Sequence, residues 1–215
     1  MGSIMVLFHQ ITNIMEAEFK AAMEIYRQSF PENERQPIDK IEERVKAGFS
    51  DLIVGEKDGI VVFMAILYPL RGTNYILLDY IATAPDYRNQ GIGAEFMMET
   101  IESLQKERKF LLLEVDDPQF GESKEDKQRR VGFYQRLGAK IFKDVKYFLP
   151  PFSSDFPTEM ILMMLPAPKG MIIEGAVVRN LIQQIYRELY DRGPDDRLLK
   201  SIIGDVPGQV ELVEY

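Results

Sequence analysis

The feature that most constrains the fold is a strand, a glycine-containing loop, a helix and a second strand in the middle of the chain. Tyr75–Thr83 and Phe110–Val115 are apolar stretches of strand length, and the second is nearly continuous, as in a strand covered on both faces. Between them, Ala94–Glu107 sets apolar residues on one helical face and glutamates on another. This order of elements indicates an α/β fold.

The remaining segments predict a mixed sheet flanked by helices. Further strands are predicted at Ile4–His9, Leu52–Glu56, Gly59–Leu70, Ile141–Leu149 and Met160–Leu165. Further helices are predicted from Phe19 to Phe30, from Pro37 to about Ala47, from the end of the polar loop Asp116–Glu125 to Arg136, and from Val178 to Leu189. We divide the chain into a main domain, residues 1–168, and a helical C-terminal extension, residues 169–215. The extension is expected to pack on that domain or at an oligomer interface, such as that of a homodimer.

The composition excludes several kinds of enzyme chemistry. The 215 residues include no cysteine and one histidine, His9. A cysteine nucleophile is impossible, a zinc site of several Cys and His ligands cannot be assembled, and a Ser–His–Asp triad could use only His9. Because His9 lies in an apolar run, a structural role is favoured for it. We expect no metal site.

The charge balance bears on partners and location. With 34 acidic and 26 basic residues, the chain lacks the excess of positive charge that nucleic-acid binding usually needs. Its longest apolar run, Ile60–Leu70, is too short to span a bilayer, and the N-terminal residues do not resemble a secretory signal. We therefore expect a cytoplasmic protein without nucleic-acid or membrane partners. The net charge of −8 favours a cationic partner or merely keeps the protein soluble.

The loop after Tyr75–Thr83 carries the strongest functional signal. Gly91 and Gly93 stand immediately before a predicted helix. Glycines let the backbone approach a ligand closely, and the free amides and positive dipole end of a helix attract an anion. The pattern is neither a Walker loop nor the three-glycine dinucleotide fingerprint. It predicts a phosphate-binding turn, although an ordinary tight turn from strand to helix has the same pattern.

Two sequence motifs resemble those of one enzyme family. The run Arg88-x-x-Gly91-x-Gly93, preceded by Ala82–Tyr87, resembles the acetyl-CoA-binding motif of the GNAT superfamily of N-acetyltransferases. Phe133–Ala139 resembles the second signature of that family, an aromatic pair followed by a glycine that ends a helix. The order of the elements also matches. The resemblance covers about Ile4 to Leu165 and is most specific over Leu77–Gly138.

This resemblance implies a GNAT-like fold and a donor site. The central sheet would be mixed and mostly antiparallel, flanked by helices, and splayed between two parallel strands, Tyr75–Thr83 and Phe110–Val115, to open a slot for the thioester. Acetyl-CoA would be the co-substrate. The residues that would bind it, the pantetheine arm on the first three and the pyrophosphate on the others, are Ile81, Ala82, Thr83, Arg88, Asn89, Gln90, Gly91, Ile92, Gly93 and Ala94.

The same resemblance implies the catalytic groups. Tyr134 would act as the general acid that protonates the leaving thiolate, since a phenol with a pKa of about 10 can supply that proton. Without the resemblance, Tyr134 would be interpreted as an aromatic residue of the core. The carboxylates near the slot, Asp79 and Glu114, are candidates for the general base. Pairing with a basic side chain, or deprotonation through water with no dedicated base, are the alternatives.

The acceptor is expected to be a primary amine of a small molecule. The resemblance implies that its pocket is shaped by Phe30–Arg35 and Pro150–Pro157, with Asp116 and Asp117 at the end of the splayed strand and Phe152 and Phe156 as apolar covers. Their acidic groups could receive a cationic amine or be ordinary solvated charges. Three alternatives stay open. The acceptor could be a protein N-terminus or lysine, the chain could be a non-catalytic acyl-CoA-binding or sensor module, or the extension could make an oligomer the functional unit.

Overall fold

The computed structural model describes residues 6–151, 156–168 and 170–215. Within these ranges the chain forms a mixed sheet of ten strands and six α-helices. The strands are β1 (Leu7–Ile11), β2 (Asp51–Lys57), β3 (Ile60–Pro69), β4 (Tyr75–Thr83), β5 (Phe110–Asp116), β6 (Lys140–Phe142), β7 (Tyr147–Leu149), β8 (Thr158–Leu165), β9 (Ile172–Glu174) and β10 (Gln209–Val213). The helices are α1 (Ala17–Ser29), α2 (Ile38–Lys46), α3 (Ile92–Glu107), α4 (Lys124–Arg136), α5 (Gly175–Leu189) and α6 (Arg197–Asp205).

The sheet is mostly antiparallel and has one parallel pair. Its strand order is β1-β2-β3-β4-β5-β8-β6-β10-β9, and β7 also pairs with β8. Every neighbouring pair in this described sheet is antiparallel except β4 and β5. These two strands are joined through α3, which is the connection that a parallel pair requires. The predicted α/β fold is confirmed.

The parallel strands separate part-way along their length. Their register runs from Tyr75 opposite Phe110 to Leu78 opposite Leu113 and ends there. Beyond this point β4 continues beside β3 alone, and β5 continues beside β8. A bulge marks the separation, because the register between β3 and β4 skips Asp79. The predicted slot between two splayed strands is therefore present.

The two faces of β5 pack against different helices. Leu111, Leu113 and Val115 belong to the apolar core that includes residues of α3 and α4. Leu112 belongs to the core formed with α5. Because side chains alternate along a strand, Glu114 lies on the same face of β5 as Leu112. A third core joins α1 and α2 to the sheet at β2, β3 and β4.

Two predicted strands differ from the structure. The expected strand Ile141–Leu149 is wrong as a single element, because β6 and β7 are separated by a turn. Asp144 has a φ of 60°, and the amide of Val145 bonds the carbonyl of Phe142 at 3.3 Å. Both short strands still pair with β8. The first strand is Leu7–Ile11 rather than Ile4–His9, whose first two residues lie outside the described ranges.

The C-terminal segment adds strands as well as helices. In β10, Leu212 pairs with Phe142 of β6, and β9 pairs with the other edge of β10. The buried side of α5, including Ile182 and Ile185, joins the same core as Leu112. Only helices are predicted for this segment from the sequence. Within the described ranges, no helix combines the length and the apolar character needed to cross a membrane.

Candidate active site

A cleft of about 480 Å³ opens where β4 and β5 separate. Nine of the predicted site residues line it, from both strands, the loop before α3, the first turn of α3 and helix α4. They are Asp79, Ile81, Ala82, Thr83, Arg88, Asn89, Gly93, Glu114 and Tyr134. The other lining residues are Ser29, Phe30, Leu78, Tyr80, Leu113, Arg130 and Phe133. The cleft therefore lies where the glycine motif and the splayed strands were predicted to meet.

The loop before α3 leaves its backbone open to the cleft. Gly91 caps the helix with a φ of 85°, a conformation that favours glycine. The first backbone hydrogen bond of the helix runs from the amide of Glu95 to the carbonyl of Gly91 at 3.0 Å. The amides of residues 92–94 therefore have no carbonyl partner within the helix. A Cβ placed on Gly93 would meet nothing within 4 Å. Free amides and open space beside them suit a phosphate, so these residues fit the pyrophosphate of coenzyme A.

The remaining motif residues support the loop. The Arg88 side chain donates from Nε to the Thr83 carbonyl at 3.2 Å and from Nη2 to Ser29 Oγ at 3.3 Å. It thus ties the loop to the ends of β4 and α1 while its charge stays at the cleft. Gln90 bonds the carbonyl of Asp86. Ile92 is buried in the core, and Gln90, Gly91, Ile92 and Ala94 do not line the cleft.

Tyr134 reaches the cleft from the last turn of α4. That helix ends before Gly138, whose φ is 92°. The Tyr134 side chain is buried, and burial raises its pKa to about 12, opposed by the positive charge of Arg130. The phenol is therefore protonated at neutral pH, as a general acid must be before it reacts, and it lines the cleft.

Glu114 also lines the cleft and accepts hydrogen bonds from two tyrosines. The hydroxyl of Tyr147 donates to one carboxylate oxygen and the hydroxyl of Tyr190 donates to the other. Burial raises the pKa of Glu114 to about 7, and the negative charge of Asp79 adds to the rise, while the two hydrogen bonds oppose it. The carboxylate can accept a proton near neutral pH. No local pattern in the sequence associates these tyrosines with Glu114.

Asp79, the other predicted carboxylate, is paired. Its Oδ2 lies 3.1 Å from Nη2 of Arg44, and its Oδ1 accepts a bond of 3.4 Å from Gln36. Burial raises the pKa of Asp79, and the neighbouring Arg44 opposes the rise. Asp79 is therefore held by α2 and the loop before it. Arg44 does not line the cleft but holds Asp79, and the sequence alone did not indicate this pairing.

A smaller cavity of about 80 Å³, which we name the side cavity, shares five lining residues with the cleft: Phe30, Asp79, Tyr80, Glu114 and Arg130. Four carboxylates line it: Glu34, Asp79, Glu114 and Asp116. Its other walls are Phe30, Gln36, Tyr80, Arg130, Leu149, Thr158, Met160 and Tyr190. Arg130 is its one lining cation among the described residues, and Nη1 of Arg130 lies 2.6 Å from Oδ2 of Asp116. The side cavity is therefore acidic.

The predicted acceptor segments are divided between this cavity and solvent. Glu34 and Asp116 line the side cavity, and burial and the charge of Asp116 raise the pKa of Glu34. Asp117 instead accepts a bond from the amide of Gln119 within its own loop. Phe156 is 78% exposed, and Phe152 lies outside the described residues.

The acetyltransferase (GNAT) family pattern matches residues 19–139, more than half of the chain. The chain belongs to this family. The resemblance seen in the sequence is confirmed, and the matched domain is an acyltransferase domain of the GNAT type. The match includes the glycine motif, both splayed strands and Tyr134, and it ends before Tyr147 and Tyr190.

Solved GNAT structures share the fold. A GNAT-family structure from Bacteroides thetaiotaomicron has a TM-score of 0.72 at 22% identity, covering 86% of this chain and 99% of that chain. Ribosomal-protein-S18-alanine N-acetyltransferase from Escherichia coli has a TM-score of 0.56 at 21% identity, covering 78% and 99%. An aminoglycoside 6′-N-acetyltransferase complexed with coenzyme A has a TM-score of 0.56 at 16% identity, covering 76% and 99%. These likenesses are of fold.

A curated relative extends over part of the chain only. An uncharacterized protein from Dictyostelium discoideum is 28% identical over 96 residues, which are 44% of this chain and 22% of that protein. The matched segment thus spans less than a quarter of the relative's length.

Proposed function

We propose that this GNAT chain is an N-acetyltransferase that transfers the acetyl group of acetyl-CoA to a primary amine of a small cationic molecule. The observation that carries the proposal is the position of Glu114. This carboxylate lines both the cleft between the splayed strands and the acidic side cavity. An acceptor amine in the side cavity would therefore reach the thioester beside a proton acceptor.

The donor would bind along β4 and the loop that follows. Past Leu78 the edge of β4 that faces β5 is released from pairing, so the backbone of Ile81, Ala82 and Thr83 can bond the pantetheine arm. The amides from Arg88 to Ala94 would hold the pyrophosphate, as the open space at Gly93 supports. Acetyl-CoA supplies the activated acetyl group.

The reaction would proceed by direct attack in a ternary complex. Glu114 would take a proton from the acceptor amine, whose nitrogen forms a bond to the acetyl carbon as the carbon–sulfur bond breaks. Tyr134 would donate its proton to the leaving sulfur. Asp79 is proposed to act through its charge, since it raises the pKa of Glu114 and is itself bonded to Arg44.

The acceptor class follows from charge and size. The side cavity is small and is lined by four carboxylates. Asp79 and Asp116 are already paired with arginines, so Glu34 and Glu114 would receive the ammonium group. An ammonium group attached to a compact molecule matches it better than an anionic or bulky group does, because buried carboxylates favour a positive partner. A protein N-terminus or lysine side chain is the second class to test.

Release of free thiol from acetyl-CoA tests the proposal directly. The acceptors would be small diamines, monoamines with no second charged group, amino acids, and peptides with a free N-terminus or lysine. We expect release to depend on the acceptor and to be fastest for a small cationic amine. Binding of coenzyme A without release for any amine would reject catalysis, and faster release with peptides would replace the acceptor class.

A further inference from the structure

The C-terminal segment outside the family match contributes a side chain to the site. Tyr190 follows the last residue of α5, is 8% exposed, and lines the side cavity. Its hydroxyl donates to Oε2 of Glu114, which lies 76 residues earlier in the chain. Tyr147 donates to the other oxygen, Oε1. Each carboxylate oxygen thus has one tyrosine donor and keeps acceptor capacity for a further proton.

The position of Tyr190 is fixed by contacts on both sides. Lys40 of α2 pairs with the adjacent Asp191 at 2.6 Å. The Tyr186 and Tyr190 rings meet edge to face with centroids 5.7 Å apart. Because α2 and the ring of Tyr186, one helical turn earlier, both contact this turn, the Tyr190 hydroxyl has a defined place beside Glu114.

We propose that Tyr190 is a positioning residue, whose hydroxyl holds the Glu114 carboxylate toward the acceptor and keeps it available as the base, so that the C-terminal segment completes the active site. This inference rests on the proposed function, in which Glu114 accepts the proton of the amine.

The surroundings of Glu114 explain why such a residue is needed. Asp79 from β4, Glu34 from the loop after α1 and Asp116 from β5 are acidic groups around the same cavity. The cation there is Arg130 of α4, which is bonded to Asp116. Burial and Asp79 raise the pKa of Glu114, whereas the bonds from Tyr147 and Tyr190 lower it. Burial also raises the pKa of both phenols, so they remain donors.

The test compares Tyr190→Phe with the matched control Tyr186→Phe. Both remove a buried hydroxyl hydrogen bond near the end of the same helix, but that of Tyr186 ends on the Phe148 carbonyl rather than on Glu114. The pH dependence of kcat/KM would be measured with a small alkoxyamine that carries a permanent quaternary ammonium group, so that the acceptor is cationic while its reacting nitrogen stays neutral across the range. We expect the acidic limb of Tyr190→Phe to move up by about one pH unit, and that of Tyr186→Phe to stay with the wild type.

A direct titration separates the two proposals. The carboxyl carbon of Glu114 would be followed by ¹³C NMR and assigned from its loss in Glu114→Gln. A higher pKa in Tyr190→Phe than in Tyr186→Phe, together with the shifted limb, supports the inference. An active chain in which both variants titrate like the wild type overturns the role of Tyr190 alone. A chain with no amine-dependent thiol release overturns the proposed function, and the inference with it.

Discussion

Arg44 and Asp79 form an ion pair beneath the cleft, with Nη2 3.1 Å from Oδ2 and with 11% and 4% of their side chains exposed. Asp79 stands at the bulge where β4 leaves β5, so this pair fixes the backbone at the opening of the cleft. A buried carboxylate that loses its cation is strongly destabilised. The pair therefore contributes to both the stability and the shape of the site.

Arg44→Met is expected to lower the free energy of unfolding by about 3 kcal/mol at roughly pH 8. The pKa of Asp79 is already raised in the folded protein, so the carboxyl can take a proton as the pH falls. The sign follows from linkage: a raised pKa stabilises the fold at low pH, and this stabilisation is lost as the pH rises. The loss in Arg44→Met should therefore be smaller at about pH 5.

Urea unfolding at both pH values measures this effect. The control is Arg44→Met combined with Asp79→Asn, which removes the unpaired charge and should recover most of the stability at the higher pH. Equal stabilities of the single and double variants at the higher pH would contradict the prediction.

Tyr134→Phe is expected to lower kcat by about 10²-fold or more and to change the KM for acetyl-CoA by less than about twofold. The phenol would be needed only to protonate the leaving sulfur. Because the pKa of Tyr134 is raised to about 12, the wild-type rate should not fall through loss of this proton up to about pH 10. The control is Tyr75→Phe, because Tyr75 does not line the cleft. Steady-state kinetics of the wild type and of both variants provide the measurement. Unchanged kcat in Tyr134→Phe removes the assignment.

Local signals made much of the fold predictable. The ends of β4 agree with the prediction, and the hairpin between β2 and β3 turns at Asp58 and Gly59, both with positive φ. The cleft contains nine of the predicted site residues, which followed from the resemblance to the GNAT family. Three of them, Arg88, Asn89 and Gly93, belong to a motif of neighbouring residues. Strand length, glycine positions and helical periodicity are properties of short segments, so one sequence is enough to show them.

Contacts between distant segments were not predictable in this way. Tyr147 and Tyr190 meet Glu114 from 33 and 76 residues away, and nothing in the residues around either tyrosine marks a partner. The turn at Asp144 and the pairing of β10 with β6 also depend on which segments the fold brings together. Apolar periodicity identifies a buried face but does not identify what covers it.

Gly93→Ala separates ligand binding from folding. A Cβ at Gly93 meets nothing within 4 Å, and the same is true of Gly204 in α6, away from the cleft. Both alanine variants are expected to be as stable as the wild type or up to about 1 kcal/mol more stable, because alanine favours helix. Gly93→Ala alone should raise the KM for acetyl-CoA, by about tenfold, since its methyl group enters the space beside the phosphate-binding amides. Kinetics and thermal unfolding of the two variants check this, and equal KM values would exclude donor binding at Gly93.

Glu114→Gln should abolish most activity and yet gain stability relative to wild type as the pH rises. The pKa of Glu114 rises from 4.5 to about 7 on folding, so the folded state binds the proton more tightly than the unfolded state does. By linkage, this stabilisation is fully present below about pH 4.5 and is lost as the pH rises through about 7. Glutamine is uncharged throughout and does not suffer that loss. Relative to wild type, Glu114→Gln should therefore gain about 2 kcal/mol in unfolding free energy between roughly pH 5 and pH 8.

Urea unfolding at the two pH values measures the gain. Glu99→Gln, on the exposed side of α3, should show the same difference from wild type at both. A stability difference for Glu114→Gln that does not change with pH would mean that Glu114 is not the buried, high-pKa carboxylate that the proposed base requires.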